Sequence, residues 1–390
     1  MNHVTRPDVT IFTYGFRPFF LAAGVWAALA IAIWIAVLQT GISLPSRFDP
    51  LTWHIHEMLF GFVMAAIAGF LLTAIANWTG RPPVQGALLA GLAFFWLAGR
   101  AACLLSAYLS PWQVLAADLS FPLVFLGVIA RELLAARNWR NVPLLAPVLI
   151  LSAANLLMHL EAYGYDMPAG LGWRFAVCAI VILISVIAGR IVPTFTRNWL
   201  NQRKSAALPR TGQAVNRAAL VLLHTGLLAW VVFPETDYVG GLLIAAGAAN
   251  LWRLWQWRGD LVTAEPLLLV LHIGYAWLVL GVVLLGLSVL WIAVPQTAAI
   301  HALTVGAMST MILAVMTRAT RGHTGHPLAA DRATAAIYVL IVCAALGRVV
   351  AAFGLWTNAL LVVSALFWIA AFGVFSLHYG RMLTRPRIGT

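Results

Sequence analysis

Trp53-His54-Ile55-His56-Glu57-Met58 opens a hydrophobic run and sets two imidazoles and a carboxylate at the lip of a membrane span. From His56 to Pro82 the run recurs without a gap 245 residues later, from His301 to Pro327. His56 pairs with His301, Gly61 with Gly306, Ile67 with Ile312, Ala74 with Ala319, Thr79-Gly80 with Thr324-Gly325 and Pro82 with Pro327. A shared Ala or Ile carries little weight in so apolar a chain. A shared His, Gly, Thr-Gly and Pro in one register carries more. Histidine is costly inside a bilayer and tends to mark function there. Two related spans that each begin with one point to a cofactor held between them.

The rest of the composition bounds the class. Of 390 residues 62% are hydrophobic and 9% charged, with a mean hydropathy of +0.92. A soluble core of this length needs a far more polar shell, so the chain reads as a polytopic protein whose first partner is the lipid bilayer. The formal charge of +12 is no nucleic-acid signal, because the bases lie in membrane-flanking loops and not in one patch. Cys103, Cys178 and Cys343 fall inside apolar runs without metal-like spacing; they read as small packing residues, with no disulfide. The first apolar run lacks a cleavage pattern and reads as a retained span.

Runs able to cross roughly 30 Å of hydrocarbon cover 19–40, 55–78, 84–108, 112–135, 143–163, 173–196, 213–233, 238–257, 265–291, 296–320, 332–353 and 356–381. The expected fold is all-α with twelve transmembrane helices, since open sheet edges do not survive in lipid. Nineteen of the 24 Lys and Arg fall on one side, among them Arg6, Arg17, Arg81, Arg131, Arg253, Arg318 and Arg385. The opposite loops hold only Arg47 and Arg174, beside Asp49, Glu161, Asp166, Glu235 and Asp237, and Arg100, Arg190 and Arg348 lie within spans. The positive-inside rule then places both termini in the cytoplasm, in a multi-pass protein of the inner membrane.

The 245-residue offset joins span 2 to span 10, eight helices on, and half of that is four. Span 6 fits the same frame at an offset of 120, where Trp53 meets Trp173 and Ile67-Ala68-Gly69 meets Ile187-Ala188-Gly189. Gly99-Arg100 in span 3 and Gly347-Arg348 in span 11 lie 248 apart. The twelve helices therefore read as three four-helix units around a pseudo-threefold axis, at 14–135, 143–257 and 265–383, within one transmembrane domain of residues 1–390. Gly61, Ala65 and Gly69 align with Gly306, Thr310 and Ala314 as ridges of small residues. Such ridges permit close helix packing, or leave room for a flat macrocycle beside His54.

With both termini inside, His54, His56 and His301 share a shallow outer layer, joined by His159 near the end of span 5. His224 falls near the midplane of span 7 and His272 in the inner half of span 9. Each of these histidines either makes an interhelical hydrogen bond or binds a metal. Neutral imidazole suits a buried Fe or Cu because it adds no charge. Residues two apart on a helix point about 200° apart, so His54 and His56 serve different centres, or one binds and the other supports it. Without a CxxCH motif any haem is non-covalent, hence b-type; copper fits wherever several histidines converge. Glu57 either favours a helix start, where negative charge is stabilised, or orients an imidazole and relays protons; Asp118, inside span 4, is a second proton carrier. Arg100, Arg190 and Arg348 are intramembrane cations suited to carboxylates, carbonyls or haem propionates, and Pro193 should kink the helix beside Arg190.

These segments together resemble the NnrS family. The matching stretches are Tyr14-Gly15-Phe16-Arg17-Pro18-Phe19-Phe20, Trp53 to Gly61, Gly69-Phe70-Leu71-Leu72-Thr73, Asn77-Trp78-Thr79-Gly80, Gly189-Arg190-Ile191-Val192-Pro193, His301 to Ala307 and Gly322-His323-Thr324-Gly325. The resemblance implies a haem- and copper-containing membrane protein of twelve spans, tied to denitrification, nitric oxide and nitrosative stress. A distant architectural likeness to haem–copper oxidases also follows, with departures: span 6 has no histidine and span 7 lacks His-His.

Three functions fit. The first is a haem-binding oxidoreductase that binds or reduces nitric oxide, fed by an electron donor the sequence does not name. There His54, His56 and His301 are axial ligands; His224, His159 and His272 hold a second metal or a proton path; Glu57 and Asp118 deliver protons. The second is a transporter of a metal, haem or small anion. The third is a sensor or protection protein that binds nitric oxide without turnover.

Overall fold

The computed structural model describes residues 10–210 and 212–388. Arg6, counted above among the basic residues, lies outside them. Among the described residues the fold is all helix, with no strand. The long helices are α1 (Phe16–Thr40), α2 (Pro50–Thr79), α3 (Gly86–Leu104), α4 (Pro111–Ala135), α5 (Leu145–Ala162), α6 (Leu171–Gln202), α7 (Gln213–Val232), α8 (Asp237–Gln256), α9 (Pro266–Leu290), α10 (Gln296–Thr324), α11 (Arg332–Ala352) and α12 (Thr357–Thr384). Eleven of them are long and apolar enough to cross a membrane. The exception is α8, which carries Asp237, Asn250 and Arg253 in its 20 residues. Arg253 read as a loop base; it lies inside this helix, 2% exposed.

Local chemistry explains where the helices begin and end. Asp49 caps α2, its Oδ1 accepting from the Leu51 and Thr52 amides at 3.0 and 3.1 Å, and Pro50 follows at the first helical position, where no N–H is missed. Ser110 and Gln113 form a reciprocal capping box on α4, again with proline next. Gly41 and Gly80 close α1 and α2 in the left-handed conformation, which glycine adopts without a Cβ clash.

The repeated segment has a shared backbone. In α2 the chain passes through a π-helix at Glu57–Val63, and in α10 through another at Ala302–Met308, in the 245-residue register. Each follows directly on the paired histidine. Each helix then continues to a Thr whose hydroxyl donates back to the carbonyl four residues before, at 2.7 Å for Thr79 and 2.6 Å for Thr324. A glycine at positive φ follows both, Gly80 and Gly325. π-Turns insert one extra residue and occur mostly at functional positions.

The glycine ridges are filled. A Cβ on Gly61 would overlap the Trp26 indole from α1, one on Gly306 the Trp277 indole from α9, and one on Gly69 the Phe20 ring. Aromatic side chains from neighbouring helices thus occupy these notches, and the ridges serve close helix packing.

By contact density the chain forms two compact units. Among the described residues, one comprises those from 10 to 176 with 315–327 and 372–388; the other comprises those within 177–314 and 328–371. In the first, Arg17 donates from Nη1 to the carbonyls of Met382, Leu383 and Arg385 at 3.3, 2.9 and 2.7 Å. Those carbonyls end α12, where positive charge is favoured.

Candidate functional site

Five helices of the first unit bring a polar cluster together in an apolar interior. The start of the α2 π-turn supplies His56 and Glu57, α3 supplies Arg100 and Cys103, α4 supplies Asp118, and α5 supplies Asn155 and His159; α1 adds Trp26. His56, Glu57, Cys103 and His159 are wholly buried, and Asp118 and Asn155 are 1% exposed. Burying charge in lipid-facing protein is tolerable only when each charge finds partners.

Arg100 bridges the two carboxylates. It donates from Nη1 to both oxygens of Glu57, at 3.0 and 2.9 Å, and from Nη2 to Asp118 Oδ1. Trp26 Nε1 adds a bond to Glu57 Oε2 at 2.9 Å. Gly99, beside Arg100, has no Cβ to hold Asp118 away, so α3 and α4 approach closely there.

Asp118 Oδ2 is the point of convergence. His56 Nε2 and His159 Nε2 each lie 3.0 Å from it, and Asn155 Nδ2 donates to it at 2.8 Å. That bond orients the Asn155 amide, so its Oδ1 meets His56 Nε2 at 2.9 Å. His56 Nδ1 in turn faces Glu57 Oε1 at 3.1 Å. Both nitrogens of His56 therefore look at oxygen acceptors. On the far side, Tyr163 donates its hydroxyl proton to the Pro111 carbonyl at 2.8 Å, and burial pushes its phenol up to about 12. Its oxygen is left to accept from His159 Nδ1 at 3.1 Å, which turns the other nitrogen of His159 toward Asp118. Two imidazole nitrogens thus point at one carboxylate oxygen, and each gap must hold a proton or a cation. With two carboxylates against one guanidinium, one added positive charge neutralises the cluster.

A metal ion meets that requirement. Donor atoms of His56, Cys103, Asp118 and His159 lie within 4.8 Å of one another, offering two nitrogens, a sulfur and an oxygen. Nitrogen and sulfur donors suit copper and zinc, and the carboxylate supplies charge. Phe48 flanks both imidazoles, at ring separations of 5.0 and 5.1 Å, and Phe60 stands 5.1 Å from His56.

The other candidates lie elsewhere. His54 leaves the cluster and stacks on Trp34, with centroids 4.6 Å apart and planes at 11°. In the second unit, His301 donates from Nδ1 to the Thr297 carbonyl at 2.7 Å. His224 Nε2 lies 3.4 Å from Ser185 Oγ, and His272 Nε2 lies 3.3 Å from Thr196 Oγ1. Arg190 is exposed and Arg348 half-buried. Of the residues singled out from sequence, the structure gathers His56, Glu57, Arg100, Asp118 and His159. Sequence reasoning missed Cys103, Asn155 and Tyr163. Cys103 stood one turn from Arg100 on the same helical face, and Asn155 was a lone amide in an apolar run; both were usable signals.

No curated protein matches the chain. The family model described as NnrS protein matches residues 10–387. With nearly its whole length aligned to that model, the chain belongs to the NnrS family.

Proposed function

We propose that this NnrS protein holds a metal ion, copper by preference, at His56, Cys103, Asp118 and His159, and uses it to bind or reduce nitric oxide. The observation that carries the reading is the meeting of two imidazole nitrogens on Asp118 Oδ2 with a thiol beside them. Complete burial suits the substrate: an uncharged gas that dissolves in lipid reaches such a centre, whereas an anion or hydrated cation does not. This weighs against transport through the same residues. Binding without turnover, as in a sensor or protection protein, shares the same centre.

Haem was the other group implied by the family, and its fit differs among the histidines. His56 does not suit axial ligation to haem, because its Nε2 is given to the proposed metal centre beside Asp118 and aromatic rings flank the imidazole. His301 does: its Nδ1–H is held by a carbonyl, the arrangement that presents Nε2 as a ligand. We assign haem to His301, with His54 as the second candidate, and a bound haem would supply an iron for nitric oxide and a route for electrons. The series Tyr163, His159, Asp118, His56, Glu57 is a continuous row of hydrogen-bonding groups suited to moving protons, with Glu57 and Asp118 as carriers. We further place α8 as a twelfth span, arrange the helices as three four-helix units, and set both termini in the cytoplasm at the inner membrane.

The test is metal analysis and spectroscopy of the purified protein. Copper should be retained by the wild type and lost from His159→Ala and Cys103→Ser, with the haem band unchanged. Because a metal ion replaces protons between donors and carboxylate, its uptake should release protons and weaken as pH falls. Copper content that is unaffected by either substitution would remove the centre from these residues.

A further inference from the structure

The second unit contains a buried cation with unused donors. Arg253 on α8 is 2% exposed. Arg100 has two carboxylates and Arg17 three helix-end carbonyls, although Nε of each is also buried without a partner. Arg253 uses only Nη1, which donates to the Ser185 carbonyl at 3.2 Å and to Tyr275 Oη at 2.6 Å. Nε is buried with no hydrogen-bond partner, and among the described residues no carboxylate pairs with the guanidinium. Arginine keeps its charge when buried, so this guanidinium needs an anion.

The surroundings hold the group in place. Asn250 Nδ2 donates to the Ala219 and Ala246 carbonyls at 3.1 and 2.9 Å, which fixes the amide. Its Oδ1 then accepts from Tyr275 Oη at 2.6 Å, so the phenol oxygen is turned to accept from Arg253. Asn250 and Tyr275 are themselves fully buried. The guanidinium carbon lies 5.1 Å from the Trp257 ring and 5.7 Å from that of Tyr275. On α6, Gly189 gives it room, since a Cβ there would overlap Nη2. His224, half-buried, reaches toward Ser185 from α7. One side of the guanidinium is thus anchored by an oriented network, while the Nε–Nη2 edge is left. That edge is the fork that receives a planar oxyanion through two parallel bonds.

We infer that Arg253, backed by Tyr275 and Asn250 and seated over Gly189, binds a small planar monoanionic oxyanion. Nitrite, nitrate and a carboxylate share that chemistry, and the carboxylate could be free or be the propionate of a bound haem. The site is separate from the proposed metal centre and does not depend on it.

The test uses the full-length protein in nanodiscs. Thermal unfolding is followed against nitrite, nitrate and acetate, with isethionate holding ionic strength constant. Wild type should show a saturable rise in Tm, and Arg253→Met should show none. Arg253→Lys keeps the charge without the fork, so affinity should fall on the order of tenfold or more, the worth of one charge-assisted hydrogen bond. Should Arg253→Met fail to insert, Gly189→Ala, which displaces the guanidinium, takes its place. Partly exposed Arg258, paired with Asp260, gives the control Arg258→Gln, which should bind as wild type does. In parallel, haem content is compared between wild type and Arg253→Lys: haem lost with no response to free anions identifies propionate as the source. The inference is overturned if free anions bind Arg253→Lys as well as wild type. It is equally overturned if no anion binds wild type and haem content is unchanged.

Discussion

Arg100 stands between Glu57 and Asp118, and its removal would leave two carboxylates facing each other in an interior that excludes water. Breaking a buried ion pair in this way costs about 3–5 kcal/mol. Arg100→Met should therefore lower the unfolding midpoint in detergent far more than Arg47→Met, whose guanidinium bonds loop carbonyls at the surface. Glu57→Gln should fall between them, because Asp118 still answers Arg100; a loss as large as that of Arg100→Met would place the main stabilising bond at Glu57 alone. At this scale the sequence was half legible. Glu57, Arg100 and Asp118 announced themselves as charges where charge is costly. Asn155 and Tyr163 carry no charge: the amide stood out in its apolar run, but its partners lie 37 and 99 positions away, and the i,i+4 pairing of Tyr163 with His159 looks like any helix-end contact.

Among the elements, the paired π-turns connect the residues to the architecture. Each sets a glycine carrying an indole from the preceding helix, Trp26 over Gly61 and Trp277 over Gly306. Adding a methyl group to such a contact costs about 1–3 kcal/mol. Gly61→Ala and Gly306→Ala should both destabilise by that order in thermal unfolding. Only Gly61→Ala should also disturb the proposed metal centre, because Trp26 bonds Glu57 there. Equal copper loss from the two variants would contradict that assignment. The repeat was readable from sequence because it is an identity at fixed spacing. The π-turns within it were not, because a switch from i→i−4 to i→i−5 bonding leaves hydrophobic spacing nearly unchanged. The filling of the ridges by tryptophan was likewise hidden, since small residues alone do not say what enters the notch.

For the whole molecule, the apolar runs predict twelve spans; eleven of the helices are long and apolar enough to cross a membrane, and α8 falls short because Asp237, Asn250 and Arg253 interrupt its apolar face. Reporter fusions at Thr40, Tyr108 and Tyr163 should all read as outside, given the nineteen-to-two split of basic residues between the two sides that the sequence predicts. A cytoplasmic signal at two of the three would reverse the orientation. A reporter at Gln256 checks α8: a cytoplasmic signal there, with Phe233 outside, makes it a span.

The bonds from Arg17 to the end of α12 carry a consequence for how the chain is made. Their acceptors are synthesised some 366 residues after the guanidinium, when most of the protein has already left the ribosome. Until then the first helix holds a charge without its partners, and the unit containing the polar cluster lacks its last helix. Assembly of that unit is thus completed late in biosynthesis, however early His56 and His159 are inserted. A chain cut after Leu377 should accumulate as a protease-sensitive intermediate in pulse–chase experiments, and adding Arg17→Leu to that cut chain should relieve part of the sensitivity.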